Sequence, residues 1–279
     1  MNEQDVAAGL NLNTLAGWNQ TAADWRRFLG NSPRGCFVVE HDGKVVGTAA
    51  TINYENRFAW IGMVLVDPAF QKRGVGTGLL EKAIEHLDNR GIRTMKLDAT
   101  PQGKPIYTKL GFAEEYEIER WILKRPNPKT SANSGSTFVA LSGMQGERIL
   151  QLDKDLFGAD RTFLLRALIE EAPEFTLAAG KDESIQGYAL GRHGLFADHL
   201  GPWMASTQTA AEKLLQEFVA KSSRETLIVD CLKANFMAVE LLRGFGFARS
   251  RPLTRMFRGP NTHSGRPESI CAILGPEFG

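Results

Sequence analysis

Apolar and polar positions alternate along this chain in a way that divides it into short strands and one-sided helices. Leu10, Leu15, Trp18, Trp25 and Phe28 recur at helical spacing, which predicts one or two helices over residues 5–29. Strands are predicted near 36–40, 45–54 and 59–66. The first two are joined through His41-Asp42-Gly43-Lys44, polar turn residues between apolar runs that read as a hairpin. Val75, Leu79, Leu80, Ala83, Ile84 and Leu87 share one face of a helix predicted over 76–89. Gly91 stands just past its end, where a left-handed stop suits glycine. A strand at 94–98, a helix near 104–110 and a strand pair over 113–123 follow. That order predicts an α/β fold: a mixed sheet with helices on its faces.

The clearest break is at 124–136, where two prolines and a Ser/Asn/Gly run carry a single alanine as the one apolar residue. Such a stretch reads as an exposed linker, with strand-like segments at 117–123 before it and 137–142 after it. The halves on either side look alike. Gly111-Phe112-Ala113 recurs 135 residues later as Gly246-Phe247-Ala248, and Arg120 falls on Arg255 at the same shift. The hairpin that reaches Gly47 has a counterpart running through Leu177-Ala178-Ala179-Gly180-Lys181-Asp182 to Gly187. Several aligned features about a linker predict a tandem repeat of one fold, with domains at 1–124 and 137–279 and the linker at 125–136.

A length of 279 residues suits two domains of about 140 each. Apolar residues at 43% and charged residues at 23% make an ordinary soluble mixture, and no run approaches the length of a membrane span. Met1-Asn2-Glu3-Gln4-Asp5 lacks the basic start of a secretory signal, so a cytoplasmic location is expected. A net charge of +1 without a Lys/Arg block gives no reason to expect nucleic acid or a membrane surface as partner. Cys36, Cys231 and Cys271 show no ligand spacing and are expected as buried thiols. His193 and His199 lack a third ligand, and no metal is expected.

The chemistry concentrates between Ile61 and Leu80. A continuous apolar strand ends at Asp67-Pro68, the short basic loop Gln71-Lys72-Arg73-Gly74 follows, and a helix begins at Val75-Gly76. The first turn of a helix leaves N–H groups without partners, and the dipole adds positive charge there. Gly74 and Gly76 let an anion approach the backbone closely, and Lys72 and Arg73 add mobile cations. A diphosphate fits such a cradle. The Walker pattern lacks its Gly-Lys-Ser/Thr here, and the dinucleotide pattern would need glycine where Leu79 stands.

Gln71-x-x-Gly74-x-Gly76 after a strand ending in proline resembles the acetyl-CoA signature of the GCN5-related N-acetyltransferases. Ile106-Tyr107-Thr108-Lys109-Leu110-Gly111-Phe112 is similar to the family's Leu-Tyr-x-Lys-x-Gly-Phe segment. The resemblance covers nearly all of 1–124. It implies acetyl-CoA as cosubstrate and no metal, with backbone groups of Val64, Leu65 and Val66 along the pantetheine arm. It also implies that the amides of Lys72, Arg73, Gly74, Val75, Gly76 and Thr77 hold the diphosphate. Tyr107 would protonate the departing thiolate, an acid whose ordinary pKa of about 10 lies near that of a thiol. The reaction implied is direct attack by the neutral amine of a small molecule or amino acid.

The sequence departs from that pattern in places. The family's strand before the first helix is short or missing, and Thr100-Pro101-Gln102-Gly103-Lys104 stands where an asparagine often precedes the last helix. Asp98 is the first candidate for a general base, with Glu55 and His41 behind it, and none is assigned. Trp18, Asn19 and Trp25 lie where an acceptor wall is expected, although tryptophans at helical spacing are more often core residues. In the second half, setting Pro202 on Pro68 puts Gln208 and Ala210 at the two glycines and Leu242 at the tyrosine, so that half is expected to be degenerate. The alternative to an enzyme is a non-catalytic acyl-CoA-binding module. A pseudo-symmetric monomer or a homodimer is expected.

Overall fold

Helix α3 (Val75–Asn89) forms where the one-sided apolar spacing predicts it. Leu79, Leu80, Ala83, Ile84 and Leu87 are buried, and Gly91 takes φ +74° just beyond its end. In the computed structural model, which describes residues 1–126, 144–181 and 184–279, that face packs on an antiparallel meander. The meander consists of β1 (Cys36–His41), β2 (Lys44–Tyr54) and β3 (Phe58–Val66). Two helices precede it, α1 (Val6–Leu15) and α2 (Ala22–Asn31), so the first strand among the described residues is Cys36–His41. A capping box opens α2, with the Thr21 amide donating to Asp24 Oδ2 at 2.7 Å. Trp25 and Phe28 are fully buried, each stabilising the fold by about 1.5–3 kcal/mol. Leu15 is 51% exposed, and the buried side of α1 runs through Val6 and Leu12 instead.

Strand β4 (Met95–Ala99), helix α4 (Lys104–Lys109) and strand β5 (Ala113–Lys124) follow, the last a single strand of 12 residues where a pair was expected. Most of the expected linker, 127–136, and the strand expected at 137–142 lie outside the described residues. The second half repeats the order with α5 (Met144–Phe157), α6 (Thr162–Glu171), β6 (Leu177–Lys181), β7 (Ser184–His193) and β8 (Asp198–Ala205). It continues through α7 (Gln208–Lys221), β9 (Thr226–Leu232), α8 (Phe236–Gly244), β10 (Ala248–Arg258) and β11 (Ile270–Ala272). Gly111 after α4 and Gly246 after α8 both take φ +85°, which is why glycine recurs there.

The chain forms two units whose limits differ from the contiguous halves. Unit 1 comprises Met1–Glu115, Thr254–His263 and Pro276–Gly279, and unit 2 comprises Tyr116–Leu253 and Ser264–Gly275. Each half therefore gives the end of its last long strand to the other unit, Tyr116–Lys124 of β5 and Thr254–Arg258 of β10. In unit 1 the strands run β1-β2-β3-β4 and then the end of β10, Thr254–Arg258 lying antiparallel to β4. In unit 2, Ile118–Lys124 of β5 lies antiparallel to β9. The two arginines aligned in the sequence account for the exchange. Arg255 grips Asp98 with Nε–Oδ1 and Nη2–Oδ2 both at 2.9 Å, and Arg120 grips Asp230 with the same pairs of atoms at 2.8 and 2.7 Å. These planar two-point contacts fix register as well as proximity. Burial pushes the Asp230 carboxyl up, but the Arg120 guanidinium and the His199 ring more than offset this and hold it below the ordinary carboxylate range.

Residues 276–279 complete the core of unit 1. Tyr54 donates to Phe278 O at 2.8 Å, Trp60 Nε1 to Pro276 O at 3.0 Å, and Gln20 to Glu277 Oε2 at 2.8 Å. The Phe278 ring stacks on Phe28 at 5.0 Å. Gly62 of β3 makes room for this segment, since a Cβ there would stand 2.5 Å from Glu277 O.

Arg255→Met removes the guanidinium partner of a carboxylate that has no exposed surface, and should cost unit 1 about 3–5 kcal/mol in urea unfolding. A paired Asp98→Leu change should recover part of that loss, because the buried charge goes with its partner. A chain cut after residue 275 should lower the midpoint further than any surface substitution, read by circular dichroism against temperature.

Candidate functional site

Strands β3 and β4 run parallel and pair at only two positions, Ala59 with Met95 and Trp60 with Lys96. Beyond them the strands part. Against β2, the pairing of β3 passes from Ala50↔Gly62 to Thr48↔Leu65, so Met63 and Val64 together stand opposite Ala49. This is a β-bulge, with Met63 at φ +54°, and a bulge bends and twists the strand that carries it. It also shifts the side-chain phase. Ile61 and Val64, three residues apart, pack in the same core beneath α3, and Val64 and Val66 then line the opening.

The loop beyond β3 is braced by its own side chains. Asp67 Oδ1 accepts from the Ala69 amide at 2.8 Å, and Gln71 Nε2 donates back to Val66 O at 3.1 Å. Lys72 at φ +60° and Gly74 at φ +86° turn the chain into α3. The helix ladder begins with the Gly78 amide donating to Gly74 O at 2.9 Å, which leaves the amides of Val75, Gly76 and Thr77 ahead of it. Gly74 caps the helix without a side-chain bond. A Cβ at Gly76 would meet Val66 Cγ2 at 3.5 Å, an ordinary contact, so packing does not demand glycine there. Its bareness widens the approach to the amides. The Lys72 side chain is exposed, and that of Arg73 lies 5.3 Å over the Phe70 ring.

Facing this loop across a cleft of about 410 Å³ are Thr100, Gln102, Gly103, Ile106 and Tyr107. Thr100 Oγ1 accepts from the Gly103 amide at 3.2 Å, closing the turn into α4. The Tyr107 ring packs over Gly103, where a Cβ would come within 2.8 Å of its Cε2, and meets Phe112 edge-on at 6.1 Å. Its hydroxyl has no hydrogen bond to any described residue, and burial pushes the phenol from 10.0 up to about 12.

The structure thus gathers Val64, Val66, Gln71, Lys72, Gly74, Gly76, Thr77 and Tyr107 around one opening. Leu65, alternating with its neighbours, is buried on the other face of β3, Arg73 turns to Phe70, and the Val75 side chain packs toward Gly47. Asp98 is engaged by Arg255, so it does not stand ready as a base. Glu55 pairs with Arg57 at 3.5 Å in the turn at φ +54°, and His41 is exposed beside the Phe70 ring. Trp25 is core, Asn19 is buried, and Trp18 is half-buried. The wall formed by Thr100, Gln102 and Ile106 and the bulge at Met63 were not anticipated. Proximity of the segment 100–104 to Tyr107 in the sequence was the signal available for the wall. Among the described residues no cluster of His, Cys, Asp or Glu is suited to a metal, and the three cysteines are free and buried.

Unit 2 treats the same region differently. Register sets Gly187↔Ala205 where unit 1 has Gly47↔Val66, so Ala205 is the counterpart of Val66. Pro202 accordingly lies inside β8, and its expected match to Pro68 is corrected. Residues 67–74 separate strand from helix in unit 1, whereas Ser206 and Thr207 alone do so in unit 2. The loop is shortened, not merely substituted. Thr207 Oγ1 accepts from the Ala210 amide at 3.2 Å and so caps α7 from within, and Leu242, in the tyrosine position, is fully buried. β8 and β9 also pair in parallel and then part, but β11 enters the gap, pairing with β8 at Met204 and Trp203 and with β9 at Cys231.

Two family models match this chain, an acetyltransferase (GNAT) family model over residues 11–112 and an acetyltransferase (GNAT) domain model over 149–272. A holothin acyltransferase of a Pseudoalteromonas species is 24% identical over 94% of this chain and 87% of its own length. An uncharacterized N-acetyltransferase, YitH of Bacillus subtilis, is 24% identical over 79% of this chain and 77% of its own. The crystal structure described as "A Putative Acetyltransferase from PYROCOCCUS HORIKOSHII" superposes with a TM-score of 0.81, at 24% identity, covering 100% of this chain and 94% of that one. No helix among the described residues is long and apolar enough to cross a membrane. With one family match on each half and the same strand-and-helix order in both, the chain belongs to the GCN5-related N-acetyltransferase superfamily of acyltransferases and carries two GNAT-like domains.

Proposed function

We propose that this chain is an acetyl-CoA-dependent N-acetyltransferase whose cosubstrate lies in the unit 1 cleft and whose acceptor is the amine of a small molecule or amino acid. The observation that carries the reading is the pairing of an open helix start with an unbonded phenol across one opening. The amides of Val75, Gly76 and Thr77, with Lys72 beside them, suit a diphosphate. The edge of β3 from Val64 to Val66, where pairing with β4 has ended, suits an extended amide-bearing arm laid alongside it. Tyr107 closes the far wall.

In this reading the neutral amine nitrogen attacks the thioester carbonyl, and strand amides stabilise the oxyanion that forms. As the carbon–sulfur bond breaks, Tyr107 gives its proton to the departing sulfur. The nitrogen's surplus proton leaves to solvent, since no side chain is assigned as base, and the Tyr107 phenolate regains a proton from solvent before the next turnover. A phenol raised by burial is present in its acid form at neutral and mildly alkaline pH, where a free amine can be neutral, and the same rise makes it a weaker donor than an ordinary phenol. The relative named a holothin acyltransferase, matched over 87% of its own length, supports acyl transfer as the reaction class.

In calorimetry, Gly74→Glu/Gly76→Glu should abolish acetyl-CoA binding of about micromolar strength, a loss of roughly 8 kcal/mol at most, while the circular dichroism spectrum persists. Absence of binding to the wild type would sink the proposal, and binding without turnover over a broad amine panel would favour a non-catalytic acyl-CoA-binding module. Tyr107→Phe should lower kcat about 100-fold or more and leave acetyl-CoA affinity within about twofold. The acid form is the active one, so its raised pKa moves loss of activity upward. The alkaline limb of kcat should lie near pH 12 where it reflects Tyr107 and should vanish in the Phe variant, and a limb that persists unchanged in that variant would contradict the assignment.

A further inference from the structure

The bulge on β3 has to be held in place. Left-handed backbone is disfavoured for any residue with a Cβ, and Met63 at φ +54° is buried to 1% exposure, with neither glycine's freedom nor water to ease it. The group that meets it comes from the neighbouring strand. Thr48, itself fully buried, donates its Oγ1 hydrogen to the Met63 carbonyl at 2.8 Å. Thr48 stands in register with Leu65, so its hydroxyl reaches along the ladder to the residue that the register skips.

We propose that Thr48 is the positioning residue of the acyl-CoA slot, an assignment that rests on the cosubstrate reading of the cleft. Its hydroxyl pins the Met63 carbonyl, the bulge stays in one place, and the phase of Val64, Leu65 and Val66 is thereby set. With the extra residue at Met63, Val64 and Val66 turn their side chains to the cleft. Moving the bulge by one position would turn them away and offer the arm a different edge.

The second unit supplies the contrast. Tyr188 stands opposite Met204 there, the place that Thr48 holds opposite Leu65. The Tyr188 hydroxyl donates elsewhere, to Asp153, and β11 occupies the gap between β8 and β9. Unit 2 has a register shift of its own, Gly201 and Pro202 together opposite Leu190, and there the Tyr188 hydroxyl is directed away while β11 fills the gap.

Thr48→Val keeps the shape and removes the hydroxyl, and Thr48→Ser keeps the hydroxyl. Amide hydrogen exchange in the ligand-free protein should quicken about tenfold at Val64–Val66 in Thr48→Val, with α3 unchanged and Thr48→Ser close to wild type. Acetyl-CoA binding should weaken about tenfold in the Val variant and recover in the Ser variant. Unchanged exchange at Val64–Val66 overturns the proposal. So does an acceleration spread evenly through unit 1, which would make Thr48 an ordinary stabilising residue. A wild type that binds no acetyl-CoA fails the reading of the cleft instead, while exchange still decides whether Thr48 holds the bulge.

Discussion

The cleft exists because the ladder between β3 and β4 stops after Ala59–Met95 and Trp60–Lys96. A parallel pair normally continues for as long as both strands are straight, because every buried N–H and C=O left over is costly. Here each strand is held from its outer side. β3 is bent by the bulge at Met63, which β2 secures, and β4 is drawn toward β10 by Arg255 on Asp98. The parting leaves a stretch of strand edge inside the protein, next to a helix start that also has amides to spare. Both deficits point at the same volume, so one elongated polar ligand satisfies both.

Unit 2 treats the same geometry in another way. Its strands part as well, after Leu200–Val229, and β11 supplies the missing pairing from the chain itself. The loop that would hold an anion has contracted to Ser206 and Thr207, and a threonine cap takes over the helix start. Gly201 marks the close passage, since a Cβ there would stand 2.0 Å from Ile273 O. A gap in a sheet is therefore either filled from within or kept open for something else, and the two units take one course each.

Much of this was legible in the residues. Helical spacing located α3 to within one residue, and Gln71, Gly74, Gly76 and Tyr107 were recognisable by local pattern because the loop and the turn into α4 are local structures. Partners set by distant pairing are not legible in local pattern. Arg120 and Arg255 were visible as a repeat, but no local signal tells a strand to pair with a partner beyond its own half. The bulge depends on a hydroxyl of β2 meeting a carbonyl of β3, which strict alternation along either strand conceals. Asp98 looked available because its partner lies 157 residues away. The mismatch of Pro202 with Pro68 arose because matching prolines ignored a contraction of the loop that only the register exposes.

The exchange of strands bears on how the protein comes into being. Unit 1 cannot close its sheet until Thr254–Arg258 is available, nor its core until Phe278 reaches Phe28. A ribosome delivers the cleft residues early and the strand that braces them late. At about 5–20 residues per second, the wait between Tyr107 and Phe278 lasts on the order of ten seconds or more. During that interval the first half is an unfinished sheet with an open edge at β4. Chaperone demand should therefore fall on the amino-terminal half of the nascent chain, and unit 1 should be completed only once residues 276–279 have left the ribosome.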